Sequence, residues 1–586
     1  MRADSGPLIR QPWETLRMPE PVAPGPGVTE LDRALGDPWD KDNPAGFVEF
    51  LAADERAEMS AAGEAILDRY GFNAEFVPVA LGGRFARMDR LIEVLRTVWR
   101  RDPCLGLGHG LSSFIAAVSA WTAGDSSQRS AVANLLLANR RVAPVYHEFG
   151  HDNDLSSVNF SATSNGAGWL LNGRKDLVTD VRRADAMVIF ARTRPGLGSR
   201  NHGQFFVPKP TAAQGRVRYL PRSPSSGMRG VRLDGAEFTN YRIPGESLIG
   251  EPGQGVETAL RSFQITRSAL PGASVGILDT GLRTALSYVR ERRRYGGAAT
   301  DLPYVRAVIG RAFTDLLVVD AFSSVAARAL HLLPGETGVL ASAVKYLAPR
   351  VLMDAMAELS TVLGAHSHLR EGRYAIFEKL ARDLAPAEFG HASRDACRAT
   401  ILPQLPRLAR RAWFNGTALP ELFWVGGDLA PLRFSGLVTG APGSDSLCAA
   451  LVDISEHYAG ASPLGRLADR FRDELVLLRA QCVELAPKDL SLDASPAAHA
   501  VVERYTLVLA AACCLGIWWH GSGHGVPFAC DETWVTAALD RLNRRLGGKV
   551  TTREETRGLE ESMFRSAVRR HDDGRLFDLT GREVPG

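Results

Sequence analysis

Histidines are the side chains of this sequence best suited to moving protons, because imidazole titrates near neutral pH. His391 lies in the stretch RDLAPAEFGHAS at 382–393, which follows a long helical region. A histidine placed there could act as a general base or general acid. The alternative is that it fills space or bonds a backbone carbonyl. His366 and His368 are second candidates, and we interpret them as loop residues.

Two further histidines, His520 and His524, enclose the short sequence HGSGH. Zinc sites generally combine three or four Cys, His or carboxylate ligands. Neither a carboxylate nor a pair of cysteines accompanies these two histidines, so the case for zinc is weak. We interpret the sequence as a Gly-rich junction between a helix and a loop, and we predict no metal site.

The overall composition is that of an ordinary globular protein, with 45% apolar and 23% charged residues among 586. The formal net charge of +3 gives no electrostatic reason to expect a nucleic-acid partner. The apolar run Leu507–Trp519 is too short to cross a bilayer, so we predict no membrane span. Seven scattered Cys, and an N-terminus without the apolar core of a secretory signal, predict a cytoplasmic protein with reduced thiols.

The order of sequence patterns predicts the architecture. Apolar residues first recur at helical spacing, short β-type runs with turn residues follow, and helical spacing then returns for the rest of the chain. A chain of this length has room for three or four domains. We therefore predict an α+β protein with an extended N-terminal arm at 1–44, an N-terminal helical domain at 45–141, a central β-domain at 142–250, a helical bundle at 251–430 and an additional C-terminal helical domain at 431–586.

Local signals predict several individual elements. Ser130 is the expected N-cap of the helix that precedes the β-domain. Turn signals on both sides of residues 168–171 predict a hairpin strand there. Val256–Arg294 is predicted to form one long helix, kinked at Pro271 and weakened by Gly272, Gly276 and Gly281. Two more bundle helices are predicted at Val305–Leu332 and Gly338–Leu363.

Seven short strings occur in an order and at spacings that are typical of one protein family. Each string alone is unspecific, whereas their order along residues 45–425 is specific. In one-letter code they are ALGG at 80–83, YHEFG and ND within 146–154, LNGRKDLVTD at 171–180, FART at 190–193, FTNYRIP and LIG within 238–250, RRRYG at 292–296 and LG at 363–364. In these strings the chain resembles the acyl-CoA dehydrogenase superfamily, including its acyl-CoA oxidase branch.

The resemblance implies an acyl-CoA dehydrogenase-like fold, with FAD held between the β-domain and the bundle of a homodimer or homotetramer. Thr179 matches a threonine that bonds the flavin, which needs donors near its ring. Arg292 matches an arginine that reaches the FAD pyrophosphate, usually across a subunit interface, and its bidentate fork suits phosphate. The matching positions give the cofactor-binding set Tyr146, His147, Thr179, Arg292 and Gly364, and the substrate-binding set Asn153, Thr266 and Arg267.

The resemblance fails at the catalytic base. Members of the superfamily remove a proton from C2 of an acyl thioester with a carboxylate. Counting from Arg382-Asp383, the usual glutamate position holds His391, to which we assign the catalytic role. A second branch places its glutamate on the long helix, and counting back from Arg292 puts that position at Gly272, which cannot act. Glu388 lies three residues before His391 and is not predicted to be the base.

The sequence therefore predicts an FAD-dependent oxidoreductase that acts on an acyl thioester of CoA or of an acyl carrier protein, with a non-standard base. The electron acceptor is expected to be oxygen or an electron-transfer flavoprotein. The C-terminal helical extension resembles the second α-domain of acyl-CoA oxidases, which favours oxygen without deciding the matter. Two alternatives stay open, a flavin-dependent monooxygenase on the same fold and a non-catalytic descendant.

Overall fold

The structure is a computed structural model that describes residues 27–584, apart from 152–153, 197, 211–215, 295, 441–442, 459 and 522–525. Most of the N-terminal arm lies outside the described residues, as do Asn153, Tyr295 and His524.

The N-terminal part is helical, as the spacing of its apolar residues predicts. Its helices are α1 (Val28–Leu35), α2 (Phe47–Glu55), α3 (Ala61–Tyr70), α4 (Met88–Trp99), α5 (Pro103–Leu105), α6 (Ser112–Ala123) and α7 (Ser126–Leu137). A stretch of π-helix, Gly106–Leu111, joins α5 to α6. Asp125 caps α7 and forms a capping box with Gln128. The prediction of Ser130 as the cap is wrong, because the helix begins at Ser126.

A mixed sheet follows the first helices. Its strands are β1 (Val142–Val145), β2 (Ser161–Ser164), β3 (Gly168–Thr179), β4 (Ala186–Arg192), β5 (His202–Pro208), β6 (Val217–Leu220), β7 (Leu233–Pro244) and β8 (Leu248–Ile249). Their order is β6-β7-β3-β2-β4-β5-β8, and β1 pairs with β4 in parallel. The predicted hairpin strand at 168–171 is present as the start of β3, which continues to Thr179 opposite Leu233. One face of the sheet has a hydrophobic core of its own, centred on residues such as Phe160, Ile189 and Phe205.

The bundle begins with the predicted long helix, which runs without a break through Pro271. Its elements are α8 (Gly255–Glu291), the short strands β9 (Arg293–Arg294) and β10 (Gly297–Ala298), α9 (Pro303–Leu332), α10 (Thr337–Leu363), α11 (Ala375–Leu384), α12 (Pro386–Phe389), α13 (Arg394–Ile401) and α14 (Leu405–Arg411). A β-carbon added at Gly272 would lie 2.7 Å from Ile92 Cγ2, and one at Gly276 would lie 2.7 Å from the carbonyl oxygen of Arg96. These glycines let α4 cross α8 at close range.

The C-terminal part is also helical and packs back onto the bundle. Its helices are α15 (Ser446–His457), α16 (Pro463–Val483), α17 (Pro496–His520), α18 (Glu532–Arg545) and α19 (Arg553–Asp572). One continuous apolar cluster, from Val28 to Leu579, joins the helices of all three helical parts. Whether these parts behave as separate domains stays a prediction.

A buried ion network closes the last turns of the chain onto the bundle. The Asp578 carboxylate lies 2.9 Å from a guanidinium nitrogen of Arg96 on α4, and Asp320 on α9 pairs with the same guanidinium at 2.7 Å. The backbone N–H of Leu579 donates to Asp320 at 2.7 Å. Residues after α19 therefore hold α4 and α9 together.

Two helical stretches are long and apolar enough to cross a membrane by length and composition, Pro103–Ala123 and Pro496–His520. The second extends well beyond the apolar run Leu507–Trp519. In their apolar windows, 89% and 83% of the residues are buried inside the protein, as in the core helices of soluble proteins. They are weak evidence for a membrane span.

Candidate active site

His391 lies on the loop between α12 and α13, where it meets α8. Its Nε2 atom is hydrogen-bonded to the hydroxyl of Thr266, a residue 125 positions earlier in the chain. Its ring packs edge-on against Phe263, with 4.3 Å between the ring centroids. Its backbone has a φ of +65°, a left-handed conformation that non-glycine residues rarely adopt outside constrained or functional sites.

The surroundings of His391 keep its imidazole uncharged. Burial is the main reason that its pKa lies well below the usual value of 6.5, and the cations Arg267 and Lys345 lower the pKa further. Arg267 donates to the hydroxyl of Ser342 at 2.9 Å. Lys345 donates to the backbone carbonyl of Ala392 at 2.9 Å. At neutral pH, therefore, one ring nitrogen of His391 keeps a lone pair that can accept a proton.

An aromatic wall connects this imidazole to the β-sheet. The ring of Tyr146, which follows β1, lies 5.5 Å from that of Phe263 and stacks on Phe190 at 5.8 Å. The Tyr146 hydroxyl donates to Gln204 at 2.8 Å and lies 3.0 Å from the hydroxyl of Ser119. Tyr146, Thr266 and His391 are therefore brought to one place, although the sequence predicts different roles for them.

The string that follows Tyr146 is held by an ion pair. Glu148 is buried and lies 2.9 Å from Lys175 on β3, and it also accepts hydrogen bonds from the backbone N–H groups of Asn159 and Phe160. The carbonyl of His147 accepts from the backbone N–H of Asp176 at 3.0 Å. The position of His147 against the sheet is thus set by its own backbone and by its neighbour Glu148.

Thr179 ends β3 in a half-buried position between two residues with unusual backbone geometry. Leu177 has a φ of +50° and Asp180 a φ of +53°. Left-handed non-glycine residues of this kind cluster at functional sites. Both carboxylate oxygens of Asp180 are buried and have no hydrogen-bond partner among the described residues, and burial raises the pKa of this group to about 6.

The second predicted helix position does not lie in the site. Gly272 packs against Ile92, and its carbonyl accepts a hydrogen bond from Arg96 at 3.1 Å. The residue of α8 that faces His391 is Thr266. Phe263 of the same helix also packs on the imidazole, so Gly272 lies outside the His391 site. The match of Gly272 to the glutamate position of the second branch stays a prediction.

Arg382 and Asp383, from which His391 was counted, act as an anchor. Asp383 accepts a hydrogen bond from the backbone N–H of Met228 at 2.5 Å and pairs with Lys379 at the same distance. Arg382 pairs with Asp54 of α2. The segment that leads to His391 is therefore tied to the N-terminal helices and to the loop before β7.

A cluster of potential metal ligands adjoins this anchor. Asp102, Cys104 and Asp383 place one ligand atom each within 4.8 Å of one another. The ammonium group of Lys379 bonds Asp102 at 2.6 Å and Asp383 at 2.5 Å, so this lysine takes the place of a cation. The ring of His520, in the HGSGH sequence for which no metal site is predicted, stacks on Phe423 with 5.4 Å between the ring centroids.

Arg292 and Gly364 lie together at the far end of α8. Arg292 is exposed, its guanidinium lies over the Tyr288 ring at 5.1 Å, and it donates to Nε2 of His366 at 2.5 Å. Gly364 has a φ of +58°, and a β-carbon added there would meet no atom within 4 Å. His366, the second candidate base, therefore belongs to the Arg292 end and not to the His391 end.

Sequence reasoning missed Phe263 and Lys345. Phe263 lies between the rings of Tyr146 and His391, but in the sequence it is one apolar residue of an ordinary helical pattern. Lys345 is the one charged residue in the apolar segment 338–349 of α10, and a lone charge on such a face is a signal that could have identified it.

Comparisons with known proteins find similarity over part of the chain. Residues 253–402 match the family model described as "Acyl-CoA dehydrogenase, C-terminal domain". The probable acyl-CoA dehydrogenase FadE25 of Mycobacterium tuberculosis is 26% identical over 313 residues, which are 53% of this chain and 79% of that protein.

Two solved structures have a similar fold. The prolyl acyl carrier protein oxidase AnaB has a TM-score of 0.57 at 19% identity and covers 64% of this chain and 96% of its own. An acyl-CoA dehydrogenase from Bacillus anthracis, complexed with FAD, has a TM-score of 0.67 at 15% identity and covers 92% of this chain and 95% of its own.

The matched region, the curated relatives and the fold all indicate the acyl-CoA dehydrogenase superfamily. These similarities support a flavoprotein oxidoreductase, and the Bacillus anthracis structure holds FAD.

The described residues fit FAD in two separate places. Tyr146, His147 and Thr179 offer an aromatic surface and a hydroxyl beside the sheet, whereas Arg292 and the open backbone turn at Gly364 suit a pyrophosphate. Thr266 and Arg292 are separated by about 39 Å of helix. The Arg292 end of α8 therefore lies far from the end that carries Thr266 and contacts His391.

Proposed function

We propose that this protein oxidises an acyl thioester, with His391 as the base that removes the proton from C2. The observation that carries this proposal is an imidazole that is bonded to Thr266 and packed on Phe263, at the position where the superfamily resemblance puts the base. Bound FAD supplies the acceptor for the hydride that leaves C3.

Thr266 selects the ring nitrogen that is free to react. Its hydroxyl oxygen lies 3.3 Å from the carbonyl oxygen of Phe263 and is also bonded to His391 Nε2. If the hydroxyl proton is donated to the Phe263 carbonyl, Nε2 must carry the imidazole proton and donate it to Thr266. Nδ1 of His391 then holds the lone pair and is the atom that takes the C2 proton.

The depressed pKa of His391 suits this task. The base is in its neutral, reactive form at neutral pH, so no proton has to be lost before the substrate binds. The proton that it takes from C2 leaves negative charge on the thioester, and Arg267 and Lys345 are the buried cations close to the imidazole. These cations would stabilise that negative charge, whereas the same charges and the burial disfavour the protonated imidazole.

The spacing of Arg292 and Thr266 supports a homodimer or homotetramer in which Arg292 of one copy holds the pyrophosphate of FAD bound in another.

The thioester carrier is CoA or an acyl carrier protein, the latter in line with the name of the AnaB structure. Oxygen and an electron-transfer flavoprotein are both compatible acceptors. An extension similar to α15–α19 belongs to a structure described as an acyl-CoA dehydrogenase, so the extension does not favour oxygen. A cytoplasmic location stays a prediction.

Replacement of the imidazole tests the proposal. FAD-loaded native protein and His391→Gln are mixed anaerobically with saturated acyl-CoA thioesters and with a prolyl thioester on a carrier protein, and bleaching of the flavin is followed. We expect the native protein to bleach and His391→Gln to keep its flavin but to react about 100- to 10,000-fold more slowly. His457→Gln, which changes an exposed histidine on α15, should behave as the native protein does.

Two outcomes would contradict the proposal. One is a His391→Gln variant that bleaches at the native rate. The other is a native protein that purifies without flavin and reacts only when a reductase supplies reduced flavin, which would favour the monooxygenase alternative.

A further inference from the structure

A buried lysine of α10 binds the loop that carries His391. Lys345 on α10 is 1% exposed. Its ammonium group donates to the carbonyl oxygen of Ala387 at 2.5 Å and to that of Ala392 at 2.9 Å, and the carbonyl of Glu388 lies 3.5 Å away. No carboxylate of the described residues lies within 4.0 Å of this ammonium group. Its partners are therefore backbone carbonyls on both sides of His391.

Such an arrangement is costly unless it holds something in place. A buried ammonium loses its hydration, and burial lowers the pKa of Lys345 to about 8. The loop that it binds has little regular structure of its own, since α12 has only four residues and α13 begins at Arg394. His391 must also be kept in a left-handed conformation that costs about 1 kcal/mol or more for a non-glycine residue.

We propose that Lys345 is a positioning residue for His391, because its ammonium group ties the carbonyls of Ala387 and Ala392 and so fixes the loop in the conformation that brings the imidazole to Thr266. This inference rests on the proposed role of His391 as the base. Lys345 itself touches neither the substrate nor the reacting atoms.

Lys345 also sets the charge that the imidazole experiences. The ionisable groups near His391 are Arg267 from α8, Lys345 from α10, Glu388 from α12 and the α13 pair Arg394 and Cys397. Arg394 lies 3.6 Å from Glu388, which offsets the charge of both. Arg267 and Lys345 are the two cations that lower the pKa of His391, beyond the larger effect of burial. Loss of Lys345 should therefore make His391 easier to protonate.

Two readouts on Lys345→Met separate positioning from a purely structural role. The first is the pH titration of the His391 ring, followed by NMR on histidine-labelled protein and assigned with His391→Gln. The second is the rate of anaerobic flavin bleaching by the thioester that the native enzyme accepts. We expect the titration midpoint of His391 to move upwards and the bleaching rate to fall about 10- to 100-fold, as small misplacements of a catalytic group do.

Two further variants complete the comparison. Lys345→Gln keeps hydrogen-bond donors without the charge, so it should show the upward shift in the titration with a smaller loss of rate. If Lys345→Met does not fold, Lys345→Gln replaces it in both measurements. Lys209→Met removes another lysine that donates to a carbonyl, that of Arg182 at 2.7 Å, and should change neither readout.

An unchanged His391 titration in Lys345→Met, or an unchanged bleaching rate in a folded variant, would overturn the proposal. If none of the thioesters bleaches the flavin of the native protein, the proposed function fails. The titration still tests the link between Lys345 and His391 in that case, because it needs no turnover.

Discussion

The hydrogen bond between Thr266 and His391 leads to the sharpest prediction. Thr266→Val keeps the shape of the side chain and removes the hydroxyl that accepts from Nε2. The Nε2–H group would then be buried without a partner, which costs about 1–3 kcal/mol. Because about 1.4 kcal/mol is a factor of ten, the reactive arrangement of His391 should become about 5- to 150-fold rarer.

The assay is anaerobic stopped-flow reduction of the FAD-loaded enzyme by the thioester that the native enzyme accepts. Thr266→Val should slow flavin reduction by about 5- to 150-fold, whereas Thr266→Ser keeps the hydroxyl and should stay close to the native rate. Thr284→Val is the matched control, because Thr284 is a buried threonine of the same helix whose hydroxyl donates to the carbonyl of Thr280 at 2.7 Å.

One result would refute the tautomer argument. If Thr266→Val and Thr266→Ser reduce the flavin equally fast, the hydroxyl does not select the proton-accepting nitrogen of His391. Equal slowing in Thr284→Val would show instead that a generally weakened α8 accounts for the effect.

Two predictions concern stability. Asp578→Asn removes a charge that pairs with buried Arg96, so the free energy of unfolding should fall by about 3–5 kcal/mol in denaturant titrations, whereas Asp573→Asn at an exposed site should change it by less than about 0.5 kcal/mol. The pKa of His391 is depressed in the folded protein, so the unfolded chain binds this proton first as the pH falls below about 6.5. The free energy of unfolding should therefore decrease as the pH decreases below that value, by up to about 1.4 kcal/mol per pH unit from this group. The His391→Gln variant should show a weaker dependence of the free energy of unfolding on pH. Equal losses of stability in Asp578→Asn and Asp573→Asn would contradict the prediction for the ion pair. Parallel pH profiles of stability for the native protein and His391→Gln would contradict the prediction for His391.

Much of the fold could be predicted because it depends on local patterns. The spacing of apolar residues predicted α8 as one helix, and α9 and α10 begin within two residues of their predicted starts. The glycines of α8 were interpreted as weak points, whereas Gly272 and Gly276 provide space for α4. That space is a tertiary property, since it depends on which helix crosses at those positions.

The active site could be predicted only in part. His391 could be found by counting along the chain, since the anchor at Arg382-Asp383 and the loop after it are local. The contact of Thr266 with His391 could not be predicted, because counting along a helix does not tell which side faces a distant loop. Lys345 was missed for the same reason, since its contacts lie 42 and 47 residues further along the chain.

The ion pair between Arg96 and Asp578 has a consequence for how the chain folds. The two residues are 482 positions apart, and Arg382 and Asp54 are 328 positions apart. Contacts over such separations are slow to form, because a long loop must close before they contribute. Until residue 578 arrives, the Arg96 cation on α4 lacks one of its two carboxylate partners. We expect a chain with such late contacts to be prone to aggregate while it folds, and slow synthesis at low temperature to favour the native protein.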